Sequence, residues 1–378
     1  MPRWLKRALI SLLLAFVVLA IVVRVRHGGG VPYPDLTGPA LLPESALEVA
    51  VQFDQPIGNV AVDVDGRVFF TVHPESRPEG DKLFVSEAGK IRPFPASDLQ
   101  AKHFETPLGV RIDRQNRLWV IDHGSHGFGT ARLTAWNLAD GNLAHEYRFS
   151  STTAPKGSFL QDLAIDAQGS TVFIADVAFW AKRPAILVHD IASGSTKRLL
   201  ENDPSVTAQD YLIRTPAKTM TFFGGLAALK AGVDGITLSR DDAWLYFGAM
   251  NHPNLYRINR LDLMAAAQDS PALTKAVQEV GPKPLSDGLT TDVDGNVYVT
   301  DVEHGAVFRL NADGELETLI QSPKIRWADG FSFGPDGWLY LADSAIPEQM
   351  LRSRAHIRSQ APYFIYRFKP GVEGVPGQ

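Results

Sequence analysis

The chain of 378 residues contains no cysteine. This absence excludes disulfide bonds, thiolate metal sites and a cysteine nucleophile, although it leaves the cellular compartment open. Outside the N-terminal segment there is also no cluster of Lys and Arg, and the formal net charge is −5 with a pI near 6.1. Because nucleic-acid binding depends on basic patches, we expect no nucleic-acid partner.

The motifs of several common catalytic classes are missing as well. The sequence has no Gly-rich phosphate-binding loop, no Ser-His-Asp motif and no HExxH zinc motif. Apolar residues make up 45% of the chain and charged residues 21%, close to the averages of globular proteins. We therefore expect a folded body with a sizeable core.

One long hydrophobic run is present, at the N-terminus. Residues 8–23 are apolar except for one serine, with three basic residues before them and two after them. A membrane-spanning helix and a signal peptide share this pattern. Apolar residues continue through the small-residue sequence 18–20, which cleavage sites seldom show, so we predict an uncleaved signal anchor over residues 1–27. The charge bias places the body outside the cytoplasm; the alternative is secretion after cleavage.

A phrase of two apolar runs around a tight turn recurs six times in the rest of the chain. Each run is rich in Val, Ile, Tyr, Phe and Trp, and each turn in Gly, Asn and Asp, which is the pattern of a β-hairpin. The copies begin at residues 58, 108, 162, 234, 287 and 329. Most intervals match the length of a four-stranded propeller blade. The sequence therefore predicts an all-β fold, a six-bladed β-propeller.

The stretches between the hairpins predict the outer strands and the closure of the ring. The expected outer strands are residues 133–137, 144–149, 185–190, 196–200, 255–260, 306–310, 316–320 and 363–368. The last blade lacks one strand, which residues 47–53 are expected to supply, removing the open edge. Two decorations are expected, at 201–233 and, as a helical excursion, at 261–280. The predicted units are the anchor, a Gly- and Pro-rich tether at 28–43, the propeller at 44–370 and a tail at 371–378.

Aspartates recur at both ends of the hairpins. In a propeller, the inner strand crosses from one face to the other and the second strand returns, so the first residue of the phrase and the residue fourteen positions later share a face. These two positions hold Asp162, Asp234, Asp287 and Asp329, and Asp122, Asp176, Asp301 and Asp343, respectively. Each aspartate alone could cap a loop through backbone hydrogen bonds. Several carboxylates around one axis, however, repel each other and call for a cation, an amine ligand or an Arg partner. We therefore expect a cation or cationic-ligand site at this mouth of the channel.

Three stretches in the second half of the chain carry a family resemblance. They read VDGITLSRDDAWLYFGAMNHPNLYRI, AVQEVGPKPLSDGLTTDVDGNVYVTDVEHGAVFRL and RWADGFSFGPDGWLYLAD. In this order they resemble the major royal jelly protein/Yellow family in a bacterial-style, membrane-tethered form, over about residues 44–369. The resemblance implies a six-bladed propeller with a site near Asp234, Asp287, Asp329 and Asp343. The family includes dopachrome-converting enzymes and binders of small aromatic amines. Its amine binders tend to have Asn near the last position, where this chain has Asp343.

A second resemblance is to the gluconolactonase/senescence-marker-like propellers, which hold a divalent metal at the channel mouth with Asp, Asn and Glu. Asp287 is similar to their metal-binding Asp, and Asp234 stands where they usually have Asn. Their first-blade Glu has no match, since Gly58 and Asn59 occupy that region. This resemblance implies the alternative of a metal-dependent lactonase with Ca²⁺, Zn²⁺ or Mn²⁺ as cofactor; without it, no cofactor is expected. A non-enzymatic scaffold is the third hypothesis.

The first resemblance implies candidate roles for two Asp–His pairs. Tautomerising a catechol-like substrate requires a base that removes a carbon-bound proton and an acid that returns one. The candidates are Asp287 with His304, and Asp122 with His123; Asn251, after another second strand, is a candidate ligand-binding residue. The sequence therefore predicts an extracytoplasmic propeller that binds a small aromatic, amine or catechol-type ligand, possessing tautomerase-like activity.

Overall fold

The protein is a six-bladed β-propeller, as predicted. The computed structural model describes residues 2–268 and 270–378. Six four-stranded antiparallel sheets form the blades. The innermost strand of each blade contacts the innermost strand of the next, and the sixth contacts the first, so the blades close into a ring. Closure leaves no sheet edge open around the axis.

Each blade contributes four strands, ordered from the axis outwards. Blades 1 to 3 consist of Ile57–Val62, Val68–Val72, Leu83–Glu87 and Lys90–Pro93; Pro107–Ile112, Arg117–Asp122, Arg132–Asn137 and Leu143–Arg148; and Leu160–Ile165, Thr171–Asp176, Ala185–Asp190 and Ser195–Leu199. Blades 4 to 6 consist of Val233–Leu238, Trp244–Ala249, Asn254–Asn259 and Gln278–Pro282; Leu289–Thr291, Val297–Asp301, Ala306–Leu310 and Leu316–Gln321; and Ala328–Phe333, Leu339–Asp343, Tyr363–Phe368 and Glu48–Phe53. The predicted outer strands agree with these bounds to within one residue at each end.

The ring is closed by a strand from the beginning of the propeller. Glu48–Phe53 pairs antiparallel with Tyr363–Phe368, the third strand of blade 6. It thus supplies the outermost strand that the last blade lacked in the sequence, as predicted. Because the two strands are more than 300 residues apart in sequence, this pairing joins both ends of the propeller and stabilises the whole ring.

The core lies between neighbouring blades. Between blades 3 and 4, for example, the fully buried rings of Phe173 and Phe247 belong to one apolar cluster with Ile236. Burying a side chain of this size contributes about 1.5–3 kcal/mol. Since each blade supplies apolar residues on both of its faces, the blades are held together mainly by this packing.

Shorter elements decorate the ring. The α-helices are Arg3–His27, Ser97–His103, Gly124–Gly127, Arg260–Ala265, Pro271–Ala276 and Arg354–Ser359, the 3-10 helices are Glu44–Ala46, Pro74–Ser76, Pro204–Val206, Phe223–Gly225, Pro335–Gly337 and Ile346–Glu348, and the minor strands are Val31–Pro32, Tyr211–Leu212, Thr221–Phe222 and Ala227–Ala228. The helical excursion predicted at 261–280 is two short helices, and its final residues begin the fourth strand of blade 4.

The segments at both ends of the chain contact the propeller. Val31–Pro32 pairs with Tyr211–Leu212 of the insertion between blades 3 and 4, and the hydroxyl of Tyr33 donates to the carbonyl of Lys283. On the opposite face, the backbone N–H of Gly377 donates to the carbonyl oxygen of the inner strand residue Phe333, and the N–H of Phe333 donates to the carbonyl oxygen of Gln378, beside a short parallel bridge between Phe333 and Pro376. The insertion and the N-terminal segment therefore lie on one face, and residues 374–378 on the other.

Candidate functional site

The beginning of the inner strand carries the same irregularity in five blades. The strand pairing shifts between Val233 and Ile236 in blade 4, and between Ala328 and Phe331 in blade 6. Such a β-bulge changes the direction in which a side chain points, and bulges are common beside binding sites. The bulges contain the Asp-Gly pairs that begin at Asp234 and Asp329.

Glycine follows these aspartates because the inner strands approach each other closely at the axis. A Cβ atom on Gly235 would lie 2.6 Å from the carbonyl oxygen of Asp287, and one on Gly288 would lie 2.1 Å from that of Asp329. No side chain fits at such distances. The Asp-Gly phrase therefore combines a carboxylate near the axis with the close approach of the next blade.

Blade 3 departs from the predicted alignment by one residue. Its pairing shifts between Leu160 and Leu163, so the bulge contains Gln161 and Asp162. Gln161 occupies the position that Asp234 has in blade 4, and Asp162 occupies the position of the following glycine. The offset is hidden in the sequence because the hairpin of blade 3 is one residue longer than that of blade 6: Leu160 pairs with Asp176, whereas Ala328 pairs with Asp343.

Asp287 is held at the channel mouth by two side chains. Its oxygens accept hydrogen bonds from Nε2 of Gln161 at 3.0 Å and from Nε1 of Trp327 at 2.7 Å. Burial raises the pKa of Asp287 to about 7; the Trp327 hydrogen bond opposes this rise, and the charge of Asp162 adds to it. Asp287 therefore exchanges a proton near neutral pH.

Asp234 lies next to Asp287 and has no hydrogen-bond donor. Both of its carboxylate oxygens are buried without a partner among the described residues, and it can only share a proton with the carboxyl of Asp287. Burial first, and then the charges of Asp287 and Asp329, raise the pKa of Asp234 well above its ordinary value. Leaving a buried polar group unpaired costs about 1–3 kcal/mol. The molecule thus keeps at the axis a carboxyl group to which no described residue donates a hydrogen bond, although the charge of the buried Lys283 opposes the rise in its pKa.

Asp162, which lies at the axis with Asp234, Asp287 and Asp329, has an arginine partner. Nη2 of Arg111 lies 3.1 Å from Oδ2 of Asp162, and Nη1 donates to the carbonyl oxygen of Phe331. The guanidinium of blade 2 thereby contacts blades 3 and 6, and its side chain is nearly fully buried. This side chain bridges the channel at Asp162. The positive charge of Arg111 therefore offsets part of the repulsion among the carboxylates at the axis.

A cavity of about 390 Å³ opens at this mouth of the channel. Gln161, Asp234 and Asp287 contribute its polar residues at the axis. Its apolar walls come from blade loops and from the 201–233 insertion, and are lined by Phe128, Phe159, Val177, Phe179, Trp180, Phe222, Phe223, Ala227, Leu229, Ala231, Met250, Trp327, Ile346, Met350 and Leu351. The volume lies within the range of small-molecule sites.

A histidine–glutamate pair forms a second polar part of the lining, together with His73. Nε2 of His126 lies 2.6 Å from Oε1 of Glu75. Burial acts to raise the pKa of Glu75, but the hydrogen bond and charge of His126 outweigh it, and the net pKa is lowered. Burial lowers the pKa of His73 to about 4. Glu75 is therefore a charged carboxylate beside a histidine that lines the cavity.

The four aspartates at the ends of the second strands hold loops. Asp122 accepts hydrogen bonds from the backbone of Glu105 and Thr106, just before the inner strand of its own blade. Asp176 accepts from Phe159 N and forms an ion pair with Arg198 at 2.6 Å. In the same manner, Asp343 binds the backbone and guanidinium of Arg326, and Asp301 binds the backbone of Glu303 and the ring of His304. None of the four is in the cavity lining.

The remaining candidates, His123 and Asn251, also hold neighbouring segments in place. His123 is fully buried, its ring stacks on Phe159 at 4.2 Å between centroids, and its Nδ1 accepts from the backbone of His126. Asn251 binds backbone groups of the insertion, including Ala231 N. The structure therefore brings Asp234, Asp287 and Asp329 together at the axis, with Asp162 beside them, but it does not join Asp287 to His304.

Two residues that line the cavity, Glu75 and Trp327, and one buried lysine near Asp234 were not predicted from the sequence. Glu75 follows the second strand of blade 1, where no repeated aspartate marks the position. Trp327 directly precedes the Ala-Asp-Gly phrase of blade 6. Lys283 is fully buried, and its Nζ donates to Ser286 Oγ at 2.9 Å; burial lowers its pKa to about 7, against the charge of Asp234. Because Lys283 stands only four residues before Asp287, it could have been recognised in the sequence as a candidate residue of this region.

The donor groups at the axis do not fit a divalent cation. Among the described residues, no group of three or more His, Asp or Glu side chains is placed to hold a metal ion. Asp287 already accepts hydrogen bonds at both oxygens, and Asp162 is paired with Arg111. Calcium requires six to eight oxygen ligands, and Zn²⁺ usually four ligands. The lactonase alternative, with Asp234 and Asp287 as ligands, is therefore not supported by the arrangement.

The fold and the position of the cavity define the class of protein: a six-bladed propeller with an acidic pocket at one mouth of its channel. Solved structures that share this fold include the following three. A luciferin-regenerating enzyme has a TM-score of 0.59 at 11% identity, covering 88% of this chain and 97% of that one. A calcium-binding regucalcin from Agrobacterium tumefaciens has 0.55 at 16%, covering 87% and 96%. A gluconolactonase from Xanthomonas campestris has 0.53 at 15%, covering 91% and 98%.

The chain belongs to the major royal jelly protein family, whose model matches residues 106–322, more than half of the sequence. Major royal jelly protein 9 of Apis mellifera is 24% identical over 223 residues, which is 53% of this chain and 50% of the relative. The chain thus matches about half the length of that curated relative. The resemblance read from the sequence is confirmed at the level of the family.

Proposed function

We propose that the propeller binds a small ligand with a protonated amine on an aromatic or otherwise apolar body, in the cavity at the channel mouth. The observation that carries this proposal is the carboxyl group of Asp234, buried at the axis without a donor. An ammonium group would supply both the hydrogen bonds and the charge that this carboxylate and its neighbours need.

The walls of the cavity support an aromatic body for this ligand. The rings of Phe159, Phe179, Trp180 and Trp327 line it. Aromatic faces attract cations as well as apolar groups. A molecule the size of an arylalkylamine would therefore place its ring among these side chains and its ammonium group towards Asp234.

Tautomerase-like turnover is the catalytic part of the proposal. Asp287, with a pKa of about 7, suits a group that takes up and returns a proton near neutral pH. The Glu75–His126 pair places a second carboxylate, hydrogen-bonded to a histidine, in the same cavity. We propose these residues in place of the Asp–His pairs suggested by the sequence.

We further propose that the N-terminal helix anchors the protein and leaves the propeller outside the cytoplasm. Arg3–His27 is long and apolar enough to cross a membrane, as a signal sequence near the N-terminus also would be. Detection of the N-terminal peptide by mass spectrometry of the membrane-extracted protein tests this location.

Calorimetry on the full chain in lipid nanodiscs tests the ligand. Tryptamine is expected to bind, while tryptophol, which replaces the amine by a hydroxyl, is expected to bind at least about tenfold more weakly, since one buried ion pair is worth more than 1.4 kcal/mol. Equal affinities would contradict the amine site. Turnover of dopachrome, compared between the wild type and Glu75→Gln, tests the catalytic part. Titration with Ca²⁺, Zn²⁺ and Mn²⁺ tests the lactonase alternative, and the scaffold alternative predicts no binding in any of these titrations.

A further inference from the structure

The mouth of the cavity is surrounded by exposed apolar side chains. Phe128 is 66% exposed, Trp180 43%, Phe223 68% and Leu351 61%, and all four line the cavity. Among the described residues of the propeller, no other Phe or Trp side chain is as exposed. We call these four residues the apolar rim. Such a concentration of exposed large apolar groups marks an interaction surface.

The N-terminal helix ends beside the apolar rim. The ring of His27 lies 6.1 Å from that of Trp180, and Nη2 of Arg26 donates to the carbonyl of Ala181 at 2.9 Å. No described residue between Arg3 and His27 is classed as buried. The helix therefore projects away from the propeller, and a bilayer that holds it would meet the face that carries the rim.

Basic side chains accompany the end of the helix on this face. Arg24, Arg26, Lys182 and Lys230 line one shallow depression there. Lys230 also contacts the carboxylate of Asp210, which offsets part of the charge. In this depression four basic side chains lie with one carboxylate, that of Asp210, which is a local excess of positive charge in a chain whose net charge is −5. Lys and Arg near a membrane surface are attracted to anionic lipid headgroups.

We propose that the apolar rim is a membrane-docking surface, which inserts into the interfacial region of the bilayer that holds the N-terminal helix. The proposal rests on the anchored location proposed above. Aromatic side chains favour the membrane–water interface, and flanking basic residues strengthen the attachment. The mouth of the cavity then opens into the lipid interface, which narrows the ligand to amines that partition into membranes.

Site-directed spin labelling of the full chain in vesicles tests this surface. The chain has no cysteine, so one introduced cysteine gives one label. Labels at Phe128→Cys and Phe223→Cys are compared with Val64→Cys, a 57% exposed apolar residue in the hairpin turn of blade 1 on the opposite face. Leu14→Cys reports on the helix itself. Collision with oxygen, which concentrates in lipid, and with a water-soluble nickel chelate is measured for each label in phosphatidylcholine–phosphatidylglycerol vesicles.

The expected result is that both rim labels collide more with oxygen and less with the nickel chelate than the Val64→Cys label does. If the Leu14→Cys label is in lipid while the rim labels are as accessible to nickel as Val64→Cys, the docking surface is refuted and the anchor stands. If the Leu14→Cys label is also in water, both proposals fail. Rim labels that are shielded from nickel and oxygen alike would indicate a protein partner or a second copy of the chain, and would also refute the docking surface.

Discussion

Replacement of Asp234 by Asn should change stability and ligand affinity in opposite directions. The carboxyl group is buried without a donor beside Asp287 and Asp329, and its pKa is raised well above its ordinary value. Because leaving a buried polar group unpaired costs about 1–3 kcal/mol, and more for a charged group, a neutral amide should raise the free energy of unfolding of the ligand-free protein by about 1–3 kcal/mol at pH 7. This gain corresponds to a rise of roughly 2 °C in Tm per kcal/mol for a chain of this size.

The same substitution should weaken the binding of tryptamine. Truncating one partner of a buried charge pair costs about 2–5 kcal/mol, or roughly 30-fold to several thousand-fold in Kd. Thermal unfolding without ligand and calorimetry with tryptamine measure the two effects. Asp301→Asn is the matched control, because this buried aspartate on the same face accepts three hydrogen bonds; it should lower Tm and leave Kd unchanged. Wild-type affinity in Asp234→Asn would refute the assignment of the amine site.

Three further substitutions test the interactions between side chains and strands at the axis of the propeller. Because burial raises the pKa of Asp287 to about 7, its contribution to stability is present below about pH 4 and is lost as the pH rises to 7; denaturant titrations should show a flatter profile in Asp287→Asn, and an unchanged slope would contradict this. Arg111→Met should lower the free energy of unfolding by about 3–5 kcal/mol, because it leaves Asp162 unpaired. The double variant with Asp162→Asn should regain much of this loss; if it does not, the ion pair is not the cause. Gly288→Ala should destabilise the protein strongly, since its Cβ would lie 2.1 Å from a carbonyl oxygen, while Gly38→Ala, in open space, should be neutral; equal effects in chemical unfolding would exclude the steric reason.

The architecture could be predicted from the sequence because its determinants are local. Each hairpin carries its own alternation of apolar residues and its own turn, and the six copies repeat at the length of a blade. The closing strand Glu48–Phe53 was predictable because the last blade lacked one strand and the N-terminal stretch was left over. The close approach that requires Gly288 was not predicted, although the repeated Asp-Gly pair marks this position in the sequence.

The site could be predicted only in part, because it depends on contacts between distant segments. The repeat identified Asp234 and Asp287, but it aligned Asp162 with them, since a hairpin that is one residue longer conceals an offset of one position in blade 3. Capping by aspartate was foreseen for the inner strands, yet the structure assigns it to residues such as Asp122 at the ends of the second strands. Glu75 belongs to no repeated phrase and reaches the cavity through a loop.

The position of Arg111 affects how a ligand can move along the channel. Its guanidinium reaches from blade 2 to blades 3 and 6 beside Asp162, so it narrows the passage from the cavity towards the opposite face. A ligand that cannot pass this side chain leaves by the mouth through which it entered, and a departing ligand competes with the next one. If the mouth of the cavity rests on lipid, the protein takes its ligand from one leaflet of the bilayer and releases it into the same leaflet.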